Sequence, residues 1–421
     1  MKDGESFRSW HQTDMETIEA YLARKHREIG LLNDCLKLPR RLACPRSVDE
    51  VIEAKFQLAA ALRGEHELRD WSATETAWST SACPTSSLFT FSYDYQRADL
   101  SVSGPPFYEL KLGCTSEAIY TASGMAAISA LLLASAPVLA GGEVLVLPGA
   151  YGETLELIER LVPNLRLVTL GLPLSDAFAR AGVPRILLLD SCASAGAFEA
   201  VLRCDGSALD LLVFDTTCFA GRSGRIRCVL RWAQRCKIPV VMVRSHNKLD
   251  SLGAEYRRLG SAVFVGWREQ GAAAGGSMVA RLVRIPATRS GSWAARRCRR
   301  TSPPYVGSEA YWALTKGRVA AILRNGRHAA RLFAREFASL SAELHFAHGL
   351  YVTHRARRPL DEAGARQAAQ TMSHDQREGI FHPPRRQLRV RFRCDRVVSR
   401  RVHGSVQRPG RGPGFADGAV E

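Results

Sequence analysis

Apolar residues recur at three- and four-residue spacing over residues 15–38 and again over 48–62, which predicts two amphipathic helices at the start of the chain. Residues 70–107 follow with Ser, Thr, Pro and Tyr and no sustained period. They read as a long irregular excursion of the kind that touches a partner or a site. From 120 to 267 the pattern changes. Short β-branched or leucine-rich runs occupy 143–147, 165–170, 185–190, 211–215, 239–243 and 262–265, with helical spacing over 154–161 and 225–236 between them. Strands that lack a polar face and alternate with helices predict a mostly parallel sheet covered on both sides, a three-layer α/β/α domain. One long helix is predicted over 309–340 with a break at Gly326, and beyond about 380 Arg, Pro and Gly replace any pattern. The chain therefore divides into N-terminal helices with an irregular arm (1–107), a large α/β domain (108–305), and a linking helix with a smaller, degenerate C-terminal domain (306–421). The tail of that last part, 381–421, is expected to stay unfolded.

Composition refines this picture more than it changes it. The 46% hydrophobic content of 421 residues can fill a substantial core. No apolar run reaches the 20 or so residues that span a bilayer, and residues 1–10 do not resemble a secretory signal, so a soluble cytoplasmic protein is expected. The 11 cysteines stand singly, without zinc-like spacing or a disulfide framework, and Cys192 and Cys218 are expected to be buried as small hydrophobes.

A net charge of +17 invites a nucleic-acid reading. Yet residues 284–300 carry +6 and residues 385–411 carry +9, leaving the remainder close to neutral. Neither stretch holds a lysine or a helical or strand period, and a single aromatic in each, Trp293 and Phe392, gives no interleaved series to stack on bases. A solvated tail, or a segment translated out of its ancestral frame, explains them equally well, and nucleic acid is not the expected partner.

Four local features occur in one order, each at a strand end or helix start, where open α/β sheets bind ligands. Residues 120–128, Tyr-Thr-Ala-Ser-Gly-Met-Ala-Ala-Ile, place a small glycine-containing turn before an alanine-rich helix, whose free N–H groups and dipole suit a phosphate. An ordinary Ser123 cap reads the same way. Tyr151, between glycines after a strand, suits stacking on a planar heterocycle, or anchoring of the next helix. Asp215 ends an apolar strand, and a buried carboxylate there needs a partner; a protonated pyridine nitrogen is one and an N-cap role is the alternative. Lys248 is one of only eight lysines against 50 arginines. An amine that must lose its proton to attack an aldehyde cannot be replaced by arginine, although an exposed loop lysine would look the same. Ser245, three residues before it, could bond a phosphate oxygen.

Phosphate turn, stacking aromatic, strand-end Asp and Ser-x-x-Lys in this order resemble the fold-type I pyridoxal-phosphate enzymes, whose fold is that of aspartate aminotransferase. Ser123-Gly124-Met125 with the following Ala-Ala-Ile, Tyr151-Gly152 and Asp215 are most similar to the cystathionine γ-synthase and methionine γ-lyase group of Cys/Met metabolism. The resemblance covers residues 90–265. It implies pyridoxal 5'-phosphate as cofactor, with Lys248 buried, forming the Schiff base and moving the α-proton. It also implies Asp215 on the pyridine nitrogen, Tyr151 on the ring, and Ser123, Gly124, Met125 and Ser245 on the phosphate. Tyr95-Gln96-Arg97 resembles the Tyr-x-Arg that reaches the phosphate of a neighbouring subunit, so Arg97 and a homodimer or homotetramer are implied as well. Two departures stand out: Asn247 occupies the place of a threonine, and Asp190-Ser191-Cys192-Ala193-Ser194 replaces an acidic residue followed by Pro-x-Asn-Pro. The implied reaction on an amino acid is elimination or replacement at the β or γ carbon, that of a C–S lyase or transferase. Transamination or another reaction of the fold is second, and a degenerate, non-catalytic homologue is third.

Overall fold

The computed structural model describes residues 15–66 (except 37), 83–84, 90–92, 101–103, 107–267 with short gaps (109, 111–112, 122, 172, 175–177, 179–181 and 255–258), 308–336, 340–344, 352–356 and 363. Arg97, both arginine-rich stretches and the 381–421 tail lie outside these residues.

The two N-terminal helices form as α1 (Ile18–Asp34) and α2 (Val48–His66). Thr17 caps α1 by accepting the Ala20 N–H at 3.2 Å. At α2 the Ser47 hydroxyl accepts from Glu50 N while the Glu50 carboxylate accepts from Arg46 N, a reciprocal cap that fixes the helix start. The segment read as irregular contains three short strands, β1 (Cys83–Pro84), β2 (Thr90–Ser92) and β3 (Ser101–Ser103), paired antiparallel. At two or three residues each they are too short to carry a period of two.

The expected sheet is present. Along the chain come β4 (Cys114–Thr121), α3 (Gly124–Leu139), β5 (Glu143–Val146), α4 (Gly152–Leu161), β6 (Arg166–Thr169), β7 (Arg185–Leu189), α5 (Ala195–Arg203), β8 (Leu211–Asp215), α6 (Gly224–Arg235), β9 (Val240–Ser245) and β10 (Gly260–Trp267). The seven strands lie in the order β4-β10-β9-β8-β7-β5-β6. Every pair from β9 to β6 is parallel, and only β10 runs against its neighbours β9 and β4. Consecutive residues face opposite layers. Val144, Val146, Val213 and Val241 pack with Ile128, Leu131 and Leu157 of α3 and α4. Leu145, Leu212, Phe214 and Met242 pack on the other side with Phe198, Val229 and Trp232 of α5 and α6. This is the three-layer arrangement expected of strands buried on both faces.

The N-terminal helices are part of this body: Leu32, Val51, Leu58 and Leu62 join the second layer. The helix α7 (Glu309–Glu336) runs unbroken through Gly326, because the roughly 1 kcal/mol glycine penalty is small against the other residues of a 28-residue helix. It reaches back to the chain start, where Asn325 Oδ1 accepts from Glu16 N at 3.1 Å. A hairpin of β11 (Leu340–Leu344) and β12 (Val352–Ala356) follows. Among the described residues no helix is long and apolar enough to cross a membrane.

Candidate active site

Because β10 is antiparallel to both β4 and β9, the C-terminal ends of β4, β5, β7, β8 and β9 all open on one edge of the sheet. Ser123 and Gly124 leave β4 there and start α3, with Ser123 Oγ accepting from Ala126 N at 3.0 Å and Thr121 Oγ1 donating to Ser123 O at 2.8 Å. The turn is wedged between two strand ends. A Cβ on Gly124 would stand 2.9 Å from both Cβ and N of Ser245, and one on Gly260 would stand 2.1 Å from Ser123 O. Glycine at both positions is what allows the helix start to press against Ser245. Ser245 N donates to Thr217 Oγ1 at 2.9 Å, which ties the end of β9 to the turn after β8. Ser123, Gly124 and Ser245 are therefore brought together at a helix N-terminus, a ready anion site. The Met125 side chain turns toward α4, where its sulfur accepts from Thr154 Oγ1 at 3.7 Å, so only its backbone is left for a phosphate.

Two carboxylates sit on the same edge. Asp215 ends β8, and its Oδ1 accepts from Thr217 N at 2.8 Å. Burial is the largest influence and raises its carboxyl above the ordinary range, although Thr217, Arg244 and the charge of Lys248 pull the other way. Asp190, just past β7, accepts from Tyr151 N at 2.7 Å and from Cys192 N at 2.7 Å, so it fixes the loop that presents Tyr151. Burial, aided by Asp215, pushes Asp190 up to about 6. In the sequence Asp190 stands out as a departure from a motif, and its position after an apolar strand is the signal that it is buried and partnered. Cys192 and Cys218 flank this edge and are each partly exposed, not buried as expected, because both lie in turns after strand ends.

Lys248 lies in the turn after β9 and is exposed, which corrects the expectation of burial. The reason is the way the turn folds. Leu249 and Asp250 are directed inward and fully covered, leaving Lys248 at the outer apex. Asp250 collects donors from both sides of it: Arg244 through Nε at 2.8 Å and Nη2 at 2.7 Å, the Tyr311 hydroxyl of α7, and His246 Nδ1 at 2.7 Å. Burial alone would raise Asp250; the Arg244 guanidinium and His246 overcome it and hold the carboxyl far below the usual range. Arg244 also donates to the carbonyls of Thr216 and Phe219 and lies over the Phe107 ring, 4.5 Å from its centroid. Tyr108 pairs with Thr216 Oγ1 on the same side, and burial pushes its phenol up to about 12. Ser251 Oγ donates to the carbonyls of Asn247 and Lys248, both at 3.0 Å. Asn247 Oδ1 is buried without a partner among the described residues.

Two cations on helices outside the sheet reach the same turn. Lys55 of α2 donates to Leu252 O, and Arg318 of α7 to Leu249 O at 3.5 Å. Leu252 has φ +49°, a left-handed conformation that costs a non-glycine residue on the order of 1–3 kcal/mol and persists only where its surroundings enforce it. Glu28 is buried beside Lys55; burial raises its carboxyl, but Lys55 and Lys25 prevail and hold it well below the usual range.

No protein-family model and no curated protein matches the sequence. Solved structures do. An aromatic amino acid aminotransferase from Burkholderia cenocepacia matches at 17% identity and TM-score 0.40, over 52% of this chain and 60% of that one. A broad specificity aminotransferase from Leishmania mexicana matches at 14% identity and TM-score 0.40, over 56% and 63%. An aspartate aminotransferase from Trypanosoma cruzi matches at 15% identity and TM-score 0.38, over 58% and 66%. The chain thus spans about three fifths of the length of the structures it matches.

Proposed function

We propose that this chain is a pyridoxal-phosphate-dependent enzyme acting on an amino acid. The observation that carries the reading is the contact of the Ser123-Gly124 turn with Ser245, which makes a phosphate cup on the sheet edge that also carries Asp215 and Lys248. In this reading the phosphate is held by the first N–H groups of α3, at Gly124 and Met125, and by the hydroxyls of Ser123 and Ser245. Asp215 would face the ring nitrogen. A cationic partner there lowers its raised carboxyl back into the ionised state, satisfying a charge that burial otherwise disfavours. Tyr151, its loop pinned by Asp190, would stack on the ring. The resemblance assigns a further phosphate contact to Arg97 of a second subunit, so a homodimer is the assembly this reading expects.

When bound, the cofactor supplies an electron sink for the carbanion at the substrate α carbon. Lys248 would hold the cofactor through Nζ and would serve as the general base for the substrate α-proton. Its place at an outer apex keeps it reachable by substrate, and the Asp250 hub keeps the turn from drifting. Transamination asks least of the substrate, an α-amino group and an α-proton, and is the first reaction to assay. Elimination or replacement at a β or γ carbon also needs a leaving group there, and is the second.

The test is the visible absorption of the purified protein with pyridoxal phosphate, before and after borohydride, beside Lys248→Ala. A band that borohydride removes and the variant lacks supports the assignment; its absence from the wild type sinks it. Product analysis then separates the reactions: the amino group is transferred to a keto acid in transamination and released as ammonia in elimination.

A further inference from the structure

We infer that the two N-terminal helices clamp the candidate site, with Lys55 as the positioning residue that holds the turn carrying Lys248. The inference rests on the reading of Lys248 given above, but its observations are separate. Lys55 Nζ donates at once to Glu28 Oε2 at 2.6 Å and to the carbonyl of Leu252. Glu28 is held in turn by Lys25 at 2.8 Å and Arg24 at 2.9 Å within α1. From the opposite helix, Arg318 approaches Leu249 O, and a Cβ on Gly253 would lie 3.0 Å from its Nη2 and 3.6 Å from Lys55 Nζ. Two cations from different helices thus converge on carbonyls one and four residues after Lys248. The second of these carbonyls belongs to the left-handed Leu252, which is followed by Gly253 at φ +78°, a backbone course that relaxes unless it is held.

A buried ion pair is no general route to stability, since apolar side chains of the same volume do as well or better. What an ammonium adds here is a fixed position for a carbonyl. Lys55, nearly 200 residues before the turn in sequence, therefore acts on Lys248 through the backbone and touches no reacting atom.

The experiment compares wild type, Lys55→Met, Lys55→Arg and Lys25→Met by amide hydrogen exchange over residues 246–254. That span includes the bonded amides of Leu252 and Ala254. In parallel, the rate of Lys248 modification by pyridoxal phosphate and borohydride is mapped by mass spectrometry. Loss of a hydrogen bond from a charged donor shifts a local opening equilibrium about tenfold or more. Lys55→Met should accelerate exchange in the turn by that factor relative to β8 and β9 in the same sample, and should slow Lys248 modification. Lys55→Arg should restore both, and Lys25→Met, which removes a different partner of Glu28, should leave both near wild type. The internal ratio keeps the result readable even if Lys55→Met lowers overall stability. Unchanged turn exchange in Lys55→Met, or equal loss in Lys25→Met, overturns the clamp. If wild type takes up no pyridoxal phosphate at Lys248, the cofactor reading fails and the exchange ratio still decides the clamp.

Discussion

Replacing Gly124 by alanine probes the cup at its tightest point. The new methyl would lie 2.9 Å from Cβ and N of Ser245 and 3.1 Å from its Cα, about half an ångström inside ordinary contact. Ser245 cannot yield easily, because its N–H is bonded to Thr217 Oγ1 and its strand is paired on both sides. The start of α3 must then retreat, carrying the N–H groups of Gly124 and Met125 away from the Ser245 hydroxyl. Overpacking of this kind costs about 1–3 kcal/mol. Felt at the cup, that corresponds to roughly 5- to 150-fold weaker phosphate binding. Absorbance titration with pyridoxal phosphate measures the loss. A parallel titration with pyridoxal, which has no phosphate, should be little affected. Gly30, inside α1 with nothing within 4 Å of its would-be Cβ, is the control: alanine there should stabilise by about 0.5–1 kcal/mol. Wild-type affinity in Gly124→Ala, or equal loss for both aldehydes, would refute the assignment of this turn to phosphate.

Lys248→Ala removes an exposed side chain, so thermal stability should stay within about 0.5 kcal/mol of wild type while the borohydride-sensitive band disappears; a large fall in melting temperature would mean that the lysine is structural. Asp250→Asn leaves the buried Arg244 guanidinium uncompensated and should cost about 3–5 kcal/mol in denaturant unfolding at neutral pH. Because Asp250 is depressed in the fold, its contribution is complete above the ordinary aspartate range and is lost only in strong acid, so a variant defect that vanishes near pH 5 would contradict the hub. Asp190 has the opposite sign. With its carboxyl raised to about 6, the folded state holds a proton that the unfolded state has released, so wild-type stability falls between about pH 4 and 6 by at most about 3 kcal/mol. Asp190→Asn should flatten that stretch of the melting-temperature profile, and a profile of unchanged slope would rule out the raised group.

The core strands were readable because a parallel strand covered on both faces is a plain apolar run, and β5, β7, β8 and β9 are covered in this way. β4 escaped the same reading as an edge strand, where exposed Ser116 and Glu117 interrupt the run, and α5 escaped because its scattered alanines blur the period of its buried Ala197, Phe198 and Val201. At the site, local order in sequence placed Ser123, Gly124, Tyr151, Asp215, Ser245 and Lys248 on one edge, since each ends or closely follows one of β4, β5, β8 and β9. What was not readable is what holds Lys248. Tyr311 and Lys55 meet the turn across 61 and 197 residues, and no window of local periodicity spans such distances. One signal did lie within reach. Arg244 sits inside the otherwise apolar run of β9, and a guanidinium buried there must be paired. Asp250, six residues on, is the carboxylate nearest to it in sequence, so the pair that folds the lysine turn outward was implied by the same stretch that was searched for the lysine alone.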